Sequence, residues 1–212
     1  MPMNRMLKKS YTIWKFLQEE GVRESLLRLG KTVLSPLYKS ESMFFYEKDL
    51  FSIPRVIQPK LAVCFRFATN EDSKDLENSM YHAYSELLLR FVKKNKCFIG
   101  SIENEIVFYA WISILKAYIP EIDTYINLTN NEAYIYNVRT LKKYRRNGIA
   151  AYAYHEILGY CKDSGFTKAL ISVCGNNISS VKSIEKAGFK RTKEIKYTRI
   201  LGFKTYSEKI TS

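Results

Sequence analysis

Residues 138–150, Val-Arg-Thr-Leu-Lys-Lys-Tyr-Arg-Arg-Asn-Gly-Ile-Ala, limit the folds open to this chain more than any other stretch. A strand-like run over residues 133–138 enters a basic loop, and the loop ends on Gly148 before small residues that open a helix. A strand feeding a helix through a short loop is a unit from which layered α/β sheets are built. The start of a helix leaves backbone N–H groups without partners and carries the positive end of the helix dipole, so such a junction can hold a pyrophosphate. Gly148 has no side chain to keep a phosphate off the backbone. Arg145 and Arg146 add positive charge, and Ala150 and Ala151 let the helix start pack closely.

The pattern on either side extends that unit. Alternation over residues 61–67 predicts a first core strand, and Asn70, Glu71 and Asp72 predict the start of a helix running to about residue 93. Residues 97–102 and 106–115 flank the turn-like Glu103-Asn104-Glu105 and read as a hairpin. Residues 117–131 are irregular. A helix over residues 148–163 closes on Ser164-Gly165. A strand over 168–174, a helix over 178–187 and two final strands within 190–206 complete the chain. The order predicts a mixed, twisted α/β sheet with helices on both faces.

Upstream, residues 1–55 read as an N-terminal extension and residues 56–212 as the main domain. Val22, Leu26, Leu29 and Val33 recur at helical spacing among Lys15, Arg23, Arg28 and Lys31. A basic amphipathic helix of this kind can lie peripherally on an anionic membrane, pack on its own domain, or join two copies as a homodimer. Pro36 ends the helical pattern, and residues 43–46 predict a short strand.

The 34 basic and 21 acidic residues give a net charge of +13, which favours polyanionic partners. No motif for reading nucleic-acid sequence accompanies the charge, so a specific nucleic-acid partner is not expected. The four cysteines, Cys64, Cys97, Cys161 and Cys174, are widely spaced, and only two histidines could supplement them. Free thiols in a reducing, cytoplasmic setting are expected, with no metal site. No run of about 20 apolar residues predicts a membrane span.

The hexapeptide Arg145-x-x-Gly148-x-Ala150 resembles the acetyl-CoA-binding motif of the GNAT superfamily of N-acetyltransferases. A second stretch, Asn177-Ile178-Ser179-Ser180-Val181-Lys182-Ser183-Ile184-Glu185-Lys186-Ala187-Gly188-Phe189, is similar to the family's later helix and turn. One helix and one strand separate the two, and the resemblance spans roughly residues 61–205. It implies a splayed central sheet with acetyl-CoA in the opening. By the match, backbone groups of Val138 and Thr140 bond the pantetheine arm, and Arg145, Arg146, Asn147, Gly148, Ile149 and Ala150 cradle the pyrophosphate. Asn177 and Ser180 are expected to touch the cofactor, although Asn177 is also well placed to cap the helix it precedes. The Val138 N–H would face the thioester carbonyl, where it could steady negative charge on oxygen.

The sequence departs from the family at two points. Lys142 stands where many relatives have proline. Ile184 stands where many carry a tyrosine that protonates the departing thiolate, leaving Ser183, Tyr152 or water as sources of a proton. For the base, Glu132, Tyr134, Tyr136, Asn137 and Glu105 are the candidates near the expected cleft; Tyr136 and Glu132, with Val138, form the expected catalytic set. His155 reads as structural, and an acyl-enzyme at Cys174 as the minor route. The resulting expectation is an N-acyltransferase that moves an acetyl group from acetyl-CoA to a primary amine, such as an amino sugar or other small amine, by direct attack. Loss of the tyrosine leaves a second reading, a catalytically weak or inactive acyl-CoA-binding module.

Overall fold

The computed structural model describes residues 37–53, 58–79 and 84–211, so the amphipathic stretch at residues 22–33, with the membrane or dimer contact expected of it, lies outside the described residues. The described residues hold ten strands: β1 Tyr38–Asp49, β2 Cys64–Phe67, β3 Lys96–Ile102, β4 Glu105–Ser113, β5 Lys116–Ile119, β6 Thr124–Asn127, β7 Glu132–Thr140, β8 Lys168–Cys174, β9 Lys190–Ile200 and β10 Phe203–Ile210. Among the same residues are four α-helical segments: α1 Ser73–Ser79, α2 Tyr84–Val92, α3 Ile149–Asp163 and α4 Ile178–Lys186. Eight strands form one sheet in the order β10-β9-β1-β8-β7-β4-β3-β2, while β5 and β6 pair separately. Every neighbouring pair in the large sheet is antiparallel except β7 and β8. A parallel pair requires a crossover, and α3 supplies it.

Alternation along the central strands sends side chains to two cores. Phe98, Phe108, Ala110 and Ile112 face α3, where they pack with Ile149, Ala153 and Ile157. Cys97, Ile99, Tyr109 and Trp111 face the other way and pack with Leu76 of α1 and Leu87 of α2. Helices therefore cover both faces, as the element order predicts. A third cluster, built from Met43, Phe45, Ala117, Ile119, Ile122, Tyr134 and Tyr197, seats the small β5–β6 sheet. Among the described residues no helix is long and apolar enough to cross a membrane.

Three features differ from the sequence expectation. The short strand expected at residues 43–46 is a 12-residue strand, β1, hydrogen-bonded to β8 on one side and β9 on the other. The boundary at residue 55 thus falls after a strand that is internal to the sheet. Its first half, Tyr38-Lys39-Ser40-Glu41-Ser42, is mostly polar, so no apolar alternation marked it. The helical segment expected from residue 70 to about 93 opens with a 3₁₀ turn (Asn70–Asp72), and its described residues go on as α1 and α2, residues 80–83 lying outside them. The irregular stretch 117–131 contains a two-stranded ribbon, Lys116↔Asn127 to Ile119↔Thr124.

The helical start at Asn70 is fixed by Asp72. Its carboxylate accepts from Arg66 Nη1 at 2.8 Å and Nη2 at 2.5 Å, and from the Thr69 backbone N–H at 2.8 Å. The Arg66 hydrogen bonds outweigh burial and hold the Asp72 carboxyl below its ordinary value. Asp72→Ala is expected to lower unfolding stability by about 2 kcal/mol at neutral pH in urea titrations. A depressed carboxyl contributes stability above its unfolded pKa and loses it as pH falls through the folded value. The gap between native and variant should therefore narrow below about pH 4.

Candidate active site: an open strand edge beside two helix starts

Pairing between β7 and β8 runs only from Glu132↔Lys168 to Ile135↔Ile171. Beyond Ile135 the two strands part, leaving the edge of residues 136–140 uncovered on that side. The cause is local. The register of β7 against β4 shifts between Tyr109 and Trp111, so Asn137 and Val138 together oppose Ala110. Asn137 adopts the left-handed conformation, φ 50°. Such a bulge bends a strand and increases its twist, which carries β7 away from β8. Both α3 and α4 begin at this open end, just past the carboxyl ends of the parallel strands. Crevices outside the carboxyl ends of parallel strands are where open α/β sheets bind ligands.

The loop after β7 is held by its own side chains. Lys142–Tyr144 form a 3₁₀ turn. Glu105 of β4 accepts from Lys143 Nζ at 2.8 Å and from the Tyr144 hydroxyl at 2.6 Å. Burial disfavours ionisation of Glu105, but the Lys143 and Tyr144 hydrogen bonds prevail and hold its carboxyl below the ordinary value. Glu105 therefore anchors the loop and is not a base facing the cleft. Arg145 Nε donates to the Thr140 carbonyl at 3.1 Å, and Asn147 Nδ2 donates to the Tyr144 carbonyl at 3.1 Å. The Asn147 carbonyl accepts from the Lys60 N–H at 2.9 Å, tying the loop to the chain before β2. Gly148 is the N-cap of α3 at φ 79°, and Arg146 has φ 67°. The Ile149 side chain packs into the core with Ala153 and Ile157, while Arg145, Arg146 and Gly148 are exposed. The first-turn N–H groups of α3 have no intrahelical partner by the geometry of any helix. An exposed glycine among arginines at a helix start is a chemical match for a diphosphate.

A cavity of about 640 Å³ opens at Val138, two residues before the end of β7. Its wall includes Asn137, Val138, Cys174, Asn177, Ser180 and Ile184, together with Glu86, Arg90, Tyr118, Tyr125, Tyr134 and Tyr136. Tyr136, Val138, Asn177 and Ser180 thus meet in one space, while Thr140 and residues 145–150 lie beyond it at the end of β7. Asn177 Oδ1 accepts from the Ser180 N–H at 3.2 Å, so it caps α4. Its amide Nδ2 is the side-chain donor left for a ligand.

Several expected roles do not fit the geometry. Glu132 is absent from the cavity wall; it lies six residues, about 20 Å of strand, before Val138, and its carboxylate accepts from the Thr129 N–H at 2.9 Å. Burial pushes Tyr136 up to about 12, so it keeps its proton at neutral pH, which suits a hydrogen-bond donor better than the expected base. Burial likewise raises Tyr134, whose hydroxyl lies 2.6 Å from Ser172 Oγ. Ser183 Oγ donates to the Ser179 carbonyl at 3.0 Å and does not line the cavity. Tyr152 packs against the Phe65 ring with centroids 5.2 Å apart, also outside it. Ile184 forms part of the wall, 1% exposed.

Among the cavity residues that sequence reasoning overlooked, three bear on its chemistry. Glu86 and Arg90 sit one helical turn apart on α2, whose approach to the cleft no local pattern reveals. Tyr154 of α3 is 3% exposed, lines the cavity, and packs edge-on against Phe189. Burial alone raises its pKa, so it holds a proton in the wall that also contains Ile184. Its i, i+4 spacing from Ala150 was the available signal.

The model of the acetyltransferase (GNAT) family matches residues 60–189, more than half of the chain, and both sequence motifs fall within the match. The chain belongs to this family. No curated protein matches it. A GCN5-related N-acetyltransferase from Sphaerobacter thermophilus superposes with a TM-score of 0.59 at 14% identity, covering 85% of this chain and 57% of that one. A putative GNAT acetyltransferase from Novosphingobium aromaticivorans gives 0.56 at 13% identity, covering 82% and 66%. A GNAT-family acetyltransferase from Colwellia psychrerythraea gives 0.52 at 13% identity, covering 73% and 53%. At these identities the likeness is one of fold, and this chain spans about half to two thirds of their lengths. The splayed α/β sheet with helices on both faces is the GNAT fold.

Proposed function

We propose that this GNAT-family chain transfers an acetyl group from acetyl-CoA directly to a primary amine. The observation that carries the reading is the uncovered edge of β7 at Val138, which opens into the same cavity as the start of α4 and adjoins the glycine-arginine start of α3. The α3 start and Arg145–Arg146 would hold the diphosphate, and the β7 edge would pair with the amide-bearing arm as an added strand does. Asn177 and Ser180 would hold the arm from the α4 side.

The amine nitrogen forms a bond to the thioester carbonyl carbon, and the Val138 N–H donates to the oxygen that gains charge. The carbon–sulfur bond then breaks, and the thiolate takes a proton. A thiolate with a pKa of roughly 8.5 leaves without strong acid help, so Ile184 weakens the reaction without abolishing it; the Tyr154 hydroxyl, which keeps its proton, donates a hydrogen bond to the departing sulfur, and water supplies the proton. The amine's surplus proton passes to Glu86, a carboxylate of the cavity wall. Phosphates balance part of the excess positive charge, and an amino sugar or another small amine suits the tyrosine-rich wall.

Thiol release from acetyl-CoA over a panel of small amines tests the reading. Amine-dependent release, with no acetyl group on Cys174 when the loaded protein is examined by mass spectrometry, is the expected result. Tight coenzyme A binding with no release for any amine would favour the binding module instead. Cys174 Sγ lies 3.4 Å from Met43 Sδ, and Cys174→Ala is expected to keep turnover within about threefold of native, as suits direct transfer.

A further inference from the structure

The cavity wall carries a cation that the transfer chemistry does not use. Arg90 lies against two aromatic faces, with its guanidinium carbon 5.1 Å from the Trp111 ring centroid and 5.4 Å from that of Tyr136. Its Nη1 is buried and has no hydrogen-bond partner among the described residues. Arg90 lines the cavity, and Lys93 and Lys116 line it alongside. A guanidinium stacked between rings is fixed in direction, and its planar fork matches a carboxylate or phosphate with two parallel hydrogen bonds. A buried donor left unmatched is costly in the empty protein, and an anionic oxygen would satisfy it.

The neighbours fix the spacing. Glu86 precedes Arg90 by four residues on α2, so the two side chains project from one face of the helix. Tyr136, which contacts Arg90, is two residues before Val138, about 6.6 Å of strand. The cavity therefore presents a carboxylate for an amine and, one helical turn along α2, an arginine for an anion.

We propose that the acceptor is a small primary amine bearing an anionic oxygen group, carboxylate or phosphate, and that Arg90 is the residue that selects it. This rests on the acyltransferase reading and adds the substrate class to it. The amine end lies toward Val138 and Glu86, and the anionic end is held by the Arg90 fork with Lys93 and Lys116 nearby. Arg90 is a specificity residue and takes no part in proton transfer.

Matched acceptor pairs test the proposal with the full chain: an amino acid against its amide, and an amino sugar phosphate against the unphosphorylated amino sugar. The native protein should acetylate the anionic member of at least one pair with kcat/KM about 30-fold or more above the neutral member. Arg90→Gln should collapse that ratio toward one, mainly through KM, and Arg90→Lys should restore it only in part. The carboxylate and phosphate arms identify which anion the site takes. Equal use of the neutral members, or a ratio untouched by Arg90→Gln, would overturn the proposal. If acetyl-CoA binds without turnover, calorimetry of the anionic amines on the coenzyme A-loaded protein decides instead, and binding indifferent to Arg90→Gln overturns it. Failure of coenzyme A itself to bind would reject the underlying acyltransferase reading, and the proposal with it.

Discussion

Gly148→Asp is expected to weaken coenzyme A binding at least about 100-fold by calorimetry while the chain still folds. Gly148 sits at φ 79°, a conformation that costs most residues about 1–2 kcal/mol but that aspartate tolerates better than others. A Cβ there would meet only Pro59 Cα, at 3.7 Å, an ordinary contact, so nothing in the protein has to move. The damage comes from charge. A carboxylate within about 4 Å of a diphosphate opposes it by several kcal/mol at an intermediate dielectric, before salt screening. Gly148→Ala separates the two effects, because it carries the backbone strain without the charge; its affinity should fall by no more than about tenfold. Native-like binding by the aspartate variant would remove the diphosphate from this helix start.

Glu86→Gln is expected to lower kcat by about 10²- to 10⁴-fold while the affinity for acetyl-CoA stays near native. Glu86 and Glu121 are the carboxylates of the cavity wall, and Glu86 is the one that shares a helix face with Arg90, four residues on along α2. An alkyl amine is mostly protonated near pH 7, so a transfer without an acceptor for that proton draws on a small neutral fraction. Tyr154→Phe removes a hydrogen-bond donor to the departing sulfur and not a proton sink. Its effect should be smaller, about tenfold, because a thiolate departs with little assistance. Steady-state rates with one acceptor across pH 6–9 check both variants. A glutamine variant with native kcat would leave water as the proton acceptor, and a phenylalanine variant with native kcat would leave water as the donor.

What the sequence disclosed, it disclosed through short-range chemistry. The loop and helix at residues 138–150 were legible because a diphosphate site needs a glycine, cations and a helix start within a few residues. The strand at residues 168–174 and the N-cap at Asn177 were legible for the same reason. Glu86 and Arg90 were not, since their place in the cavity depends on α2 crossing the sheet face. Glu132 was misjudged because strand membership says nothing of which end of the strand opens. The bulge at Asn137 and Val138 creates that opening, and nothing in Tyr-Asn-Val-Arg marks a left-handed asparagine before the register against β4 is known.

The position of β1 has a consequence for how the molecule is made. Residues 38–49 leave the ribosome first among the described strands, yet their partners are residues 168–174 and 190–200. Closure of that half of the sheet therefore waits until almost all of the chain has been synthesised, and such distant pairings slow folding. Until then β1 is a free strand with Met43, Phe44, Phe45 and Tyr46 in sequence, the kind of segment that recruits other chains. A truncation that starts at residue 56, inviting if the first 55 residues are taken for a dispensable leader, would strip β8 and β9 of a shared neighbour and yield aggregate where a smaller enzyme was intended.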